Sequence, residues 1–143
     1  MQARAGIIGG VIGGFIKLIL DQITFAVGIS SVDTIGAFSR LLFGGTQASL
    51  IMWIIYLIAT GLVGWLISGI IPARRIDSYF FSGIVVGVIL WAAMNLIFTA
   101  IGVTPTWAMG AGSFIVNLIT HAVLGISITY TMVRYKSRAE TPA

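Results

Sequence analysis

The chain has 143 residues, a net charge of +4 and only 8% charged residues, against about 25% in an ordinary soluble domain. With 58% hydrophobic residues and a mean hydropathy of +1.07, neither a soluble globular fold nor a disordered chain fits. The absence of cysteine excludes disulfides, thiol catalysis and Cys-held zinc or iron–sulfur centres.

The apolar residues fall in four blocks, 5–27, 50–71, 79–101 and 113–133. Each is near the ~20 residues that cross a ~30 Å hydrocarbon core as a helix. None alternates in polarity as a membrane-barrel strand does, so all four are predicted as helices. The first block holds Gly6, Gly10 and Gly14 four residues apart, with Gly9 and Gly13 in a second row. Small residues at this spacing let another backbone approach closely. The same stripe continues through Lys17, Asp21, Thr24 and Gly28. A lipid-exposed charge there costs about 2.5–3.5 kcal/mol, so Lys17 and Asp21 are predicted to face protein. Four apart, they can pair within the helix. Two readings stand open: a self-neutralising pair that aids packing, or a translocation or protonation site. The two charges, with no small-residue cleavage site after them, argue against a removable secretory signal.

The next segment, SSVDTIGAFSRLLFGG, places Val32, Ile35, Phe38, Leu41 and Leu42 on one helical face, with Ser31 as a cap. It is predicted as a short surface helix over 32–43, the alternative being a loop folded over the mouth of the bundle. The second span carries Tyr56. The turn after it, PARRIDS, is short, which predicts that the flanking helices are neighbours. The third span carries Gly83, Gly87 and Asn95. A compact turn, GVTPTWAMGAG, leads to the fourth span with Asn117 and His121.

Orientation follows from the basic residues. Arg4, Arg74, Arg75, Arg134, Lys136 and Arg138 fall on one side and only Arg40 on the other. The positive-inside rule then puts both termini in the cytoplasm. The positive charge thus reads as topology and not as a nucleic-acid surface. Trp53 and Trp107 fall near the outer interface; Tyr79, Phe80, Phe81, Tyr130 and Tyr135 fall near the inner one.

Every span offers a polar group toward its outer end: Asp21 and Gln22, Tyr56, Asn95, and Asn117 with His121. Lys17 lies nearer the middle. Facing inward together, they would form one polar cluster opening outward. Each alone is also explained by an interhelical hydrogen bond worth about 0.6–2 kcal/mol. His121 could relay protons with Asp21 or simply donate a hydrogen bond. A haem would need His121 from two protomers, and no cofactor is expected. The chain has no metalloprotease helix motif, phosphate-binding loop or nucleophile elbow, so no enzyme is expected. The first and third spans also look alike, with Gly10 over Gly83, Gly14 over Gly87, Gln22 over Asn95 and Phe25 over Phe98. The second and fourth align through Ser49 with Ser113, Ile51 with Ile115 and Gly61 with Gly125. This pattern is either a parallel duplication of a hairpin or the chance likeness of glycine-rich apolar helices.

Three stretches carry a family likeness: GIIGGVIGGFIK (6–17), GVILWAAMNLIFTAIG (87–102) and HAVLGISITYTMVRY (121–135). With them the chain resembles the small YqhR-type bacterial membrane proteins and, more loosely, the YagU-like ones. The resemblance implies four helices in the inner membrane and carries over no functional residue. Lys17 and Asp21 have no counterpart in that pattern. The expectation is an all-α, single-domain, compact four-helix membrane bundle in a bacterial or archaeal plasma membrane. Its small-residue faces suggest a homo-oligomer or other membrane subunits. Two functions are weighed: a structural or assembly subunit, and a channel or transporter unit for protons, ions or a small polar solute.

Overall fold

A computed structural model describes residues 2–45 and 50–139, the side chains of 136–139 excepted. The described residues are helical, with no strand. The helices are α1 (Gln2–Ala26), α2 (Thr34–Phe43), α3 (Leu50–Ile70), α4 (Tyr79–Ala100) and α5 (Ala111–Ala139), with single 3₁₀ turns at Ala73–Arg75 and Thr106–Ala108. Helices α1, α3, α4 and α5 are long and apolar enough to cross a membrane. Their bounds follow the apolar blocks closely. Only α5 runs well past its block, through the basic segment 134–138. Large apolar side chains cover the outside: Leu50, Ile58, Ile70, Phe81 and Ile89 are all exposed. In water such a surface would drive aggregation; in lipid it is the normal outer face.

The start of α1, the end of α5, the α3–α4 turn and the exposed Arg4, Arg74, Arg75 and Arg134 lie at one end, called here the terminal end. Helix α2 lies at the other. The terminal end is tied by side chains that cap neighbouring helices. Gln2 Nε2 donates to the Ser68 and Ile71 carbonyls at 2.6 and 2.9 Å. Thr131 Oγ1 donates to Ala5 O at 2.9 Å, and Thr129 Oγ1 to Tyr79 O at 2.6 Å.

Glycine decides which helices meet. Helix α1 is central, with α3 on one face and α5 on another, and α4 packs on α5. A side chain at Gly6 would strike Gly64 O and Ser68 of α3, and one at Gly10 would strike Thr60 O. At Gly9 and Gly13 it would strike Ser127, Ile128 and Leu124 of α5. The predicted packing residues Gly6, Gly10, Gly14, Gly83 and Gly87 thus all serve seams inside this one chain.

The two hairpins make matching contacts. Gly64 sits between Gly6 and Gly10; Gly125 sits between Gly83 and Gly87. Gly10 meets Thr60 and Gly61, as Gly87 meets His121 and Ala122. In this register GIIGGVI (6–12) lies over GIVVGVI (83–89), identical at five of seven positions. It differs by one turn from the register expected from Gly10 over Gly83. The second expected alignment also shifts: Gly64, not Gly61, matches Gly125, so Ile51 does not fall over Ile115, and Ser49 lies outside the described residues.

One expectation needs correction. The short 72–78 turn predicts that α3 and α4 pack together, yet they form no packed seam along their lengths. In the matching register, Gly9 and Gly13 of α1 correspond to Val86 and Leu90 of α4. The glycines let α1 close on α5. On α4 the corresponding pair is bulkier, and between α3 and α4 lies a cavity that Leu90 lines.

Candidate functional site

The site is built around Asp21. Lys17 and Asp21, both 2% exposed, form an ion pair one turn apart on α1. The carboxylate also accepts from Thr34 Oγ1 of α2 and Thr120 Oγ1 of α5, each at 2.8 Å. Three helices thus converge on one carboxylate, and its charge is met by a cation and two hydroxyls. Lys17 shares a cavity wall with Tyr56 of α3.

Helix α2 lies across this group as a cover. Its Asp33 accepts from Gln22 Nε2 at 3.2 Å, and Phe38 meets Tyr56 edge to face with ring centroids 5.4 Å apart. Ile35 is buried with Leu18, Met52 and Tyr56. The predicted apolar face is correct at Val32, Ile35 and Phe38; Leu42 is exposed. The predicted cap is not used. Asp33 occupies the N-cap position, while the Ser31 backbone N–H donates to Ser113 Oγ at 2.9 Å. The helix ends where Gly44, at φ 69°, takes the left-handed conformation that releases the chain.

A second polar group joins α4, α5 and their connection. Asn95 Oδ1 accepts from the Thr106 N–H at 2.6 Å and its hydroxyl at 2.9 Å, and Asn95 Nδ2 donates to Trp91 O at 2.9 Å. The Thr106 hydroxyl also lies 3.3 Å from Asn117 Oδ1. His121 Nδ1 donates to Asn117 O at 2.7 Å. A carbonyl only accepts, so the proton on Nδ1 is fixed and Nε2 of the neutral ring is an acceptor. Among the described residues Nε2 has no partner, nor is it a sealed, orphaned atom. The Trp91 indole N–H is such an orphan, enclosed by Trp107 and Phe114.

Lys17, Tyr56, Asn95, Asn117 and His121 line one cavity of about 280 Å³. Its side walls are α3 and α4, its back is α1 and α5, and α2 and Thr106 close it above. Most of the wall is apolar, through residues such as Ala59, Val63, Leu90, Ala93, Met94 and Leu124. The expected cluster is therefore brought together at five positions. Asp21 stands behind the wall, and Gln22 turns to α2. A second cavity of about 400 Å³ lies between α2 and the α4–α5 connection and shares Val32, Ala37, Phe98 and Thr106 with the first. Below the first cavity the chain is closed by Ala5, Ala73, Ile76, Leu124, Ile128 and Met132.

Thr34, Thr60, Thr106 and Thr120 were not singled out from sequence. Threonine is frequent in the connections and spans, and nothing in its spacing marks these four. Among the described residues no three Asp, Glu, His or Cys side chains gather as a metal site. Compared with family models, curated proteins and solved structures, the chain matches none.

Proposed function

We propose that this multi-pass membrane protein is a structural or assembly subunit of a membrane oligomer or complex, with both termini cytoplasmic, in a bacterial or archaeal plasma membrane. The observation behind the structural reading is the saturation of Asp21. Its partners come from α1, α2 and α5, so the charge ties helices together where a transport site would hold it free for cargo. The matched glycine contacts support a duplicated hairpin, and the resemblance to the YqhR-type proteins belongs to the same proposal. The test is native mass spectrometry of the protein extracted at its natural abundance. A defined oligomer, or a stoichiometric complex with another chain, is the expected result; a monomer alone would sink the proposal.

A second reading, a channel or transporter unit, is favoured by one observation. The two cavities share lining residues, and the first of them reaches Lys17 and His121. It requires flux through reconstituted vesicles that Phe98→Trp narrows.

A further inference from the structure

Beyond that reading, and independent of it, we propose that the cavity between α3 and α4 binds a single-chain amphiphile with a carboxyl head, of the fatty-acid class. The cavity wall is largely apolar, and His121, Asn117 and Lys17 are among the few polar side chains that line it. All three are more than nine-tenths buried. That combination of a greasy tunnel and a few fixed polar atoms is the usual form of a ligand pocket. The volume, about 280 Å³, is at the small end for such pockets and suits one chain better than two.

The polar atoms define the head. His121 Nε2 is an acceptor without a partner and needs a donor. The Asn117 amide nitrogen has no partner among the described residues and needs an acceptor. The Lys17 ammonium has three N–H groups, of which Asp21 takes one. A carboxyl group meets all of them: its O–H donates to Nε2, and its carbonyl oxygen accepts from Asn117 or Lys17. Charge favours the same choice. Lys17 is already neutralised by Asp21, so a phosphate head would bring uncompensated negative charge into an apolar site. A carboxyl that keeps its proton brings none. Access is lateral: Ala93 and Ile97, on the α4 wall, are exposed on the face that meets lipid.

The binding experiment uses the full chain in nanodiscs and radiolabelled hexadecanoic acid as the probe, in a scintillation proximity assay. Unlabelled hexadecanoic acid, its methyl ester and hexadecyl phosphate are the competitors. Saturable binding of the acid is expected, with the ester and the phosphate each competing about tenfold more weakly, the ester for want of a hydrogen-bond donor. Ala59→Phe places a large apolar side chain in the cavity from α3 without replacing a polar group, and is expected to abolish binding while thermal unfolding is unchanged. His121→Phe is expected to weaken the acid about tenfold and leave the ester unaffected. Absence of saturable binding, or full binding by Ala59→Phe, would overturn the site. Equal competition by the ester or the phosphate would overturn the carboxyl head.

Discussion

At the scale of single residues, the sequence already contained the Lys17–Asp21 pair, because a spacing of four puts both charges on one helical face. It did not contain the rest of that group. Thr34 and Thr120 reach Asp21 from other helices, and a threonine in a span or a loop has no pattern that foretells this. The consequence is measurable by substitution. Asp21→Asn leaves Lys17 buried without its counter-ion and is expected to cost about 3–5 kcal/mol. The double change Lys17→Met with Asp21→Leu removes both charges and is expected to recover most of that loss. Unfolding in micelles checks both. The glycines give a second, graded test. A valine at Gly10 overlaps the Thr60 carbonyl, and Gly10→Val is expected to cost about 1–3 kcal/mol. Nothing lies within contact distance of a side chain at Gly69, so Gly69→Ala is expected to be neutral or slightly stabilising. Equal losses for the two would remove glycine packing from the account.

At the scale of elements, the four spans were legible because lipid demands long, uninterrupted apolar helices. Their partners were less so. A short turn ties two helix ends but does not bring their faces together. What does is close backbone approach, and here the informative signal is a difference between two similar helices: α1 has Gly9 and Gly13 where α4 has Val86 and Leu90. Restoring the glycines should close the gap. In a Val86→Gly, Leu90→Gly protein, spin labels on Ile58→Cys of α3 and Ile89→Cys of α4, both exposed positions, are expected to move closer by a few ångströms. The cysteine-free chain makes the labelling unambiguous. An unchanged distance would show that something other than these two side chains holds α3 and α4 apart. Helix α2 was legible as an apolar face, while its cap was not, since Ser31 and Asp33 are equally good capping residues by type. Thr34→Val deletes one of the two bonds tying α2 and α5 to Asp21 and is expected to cost about 1 kcal/mol, read as faster hydrogen exchange across Ile35–Ser39.

At the scale of the whole molecule, the distribution of Arg and Lys predicts which end faces the cytoplasm. A cysteine at exposed Asp77 is expected to resist a membrane-impermeant maleimide added to whole cells, and one at exposed Ser31 to react. The reverse pattern would invert the topology. The likeness of the two hairpins was visible in the sequence but a turn out of register with their contacts, because glycine-rich apolar stretches match at several offsets and only contacts separate them. The convergence of Tyr56, Asn95, Asn117 and His121 was visible too, since they lie at similar depth, with Lys17 nearer the middle. That their shared space is apolar and shut toward the terminal end was not visible, as it depends on the packed Leu124, Ile128 and Met132 below it. A conducting role would require this packed lower half to open, whereas a helix-tying role would not. The most direct test is Asp21→Asn measured two ways, as thermal stability in nanodiscs and as proton and ion flux in vesicles. The account predicts a large loss of stability and no flux in either the wild-type or the altered protein. Wild-type flux that Asp21→Asn abolishes, with stability intact, would contradict it.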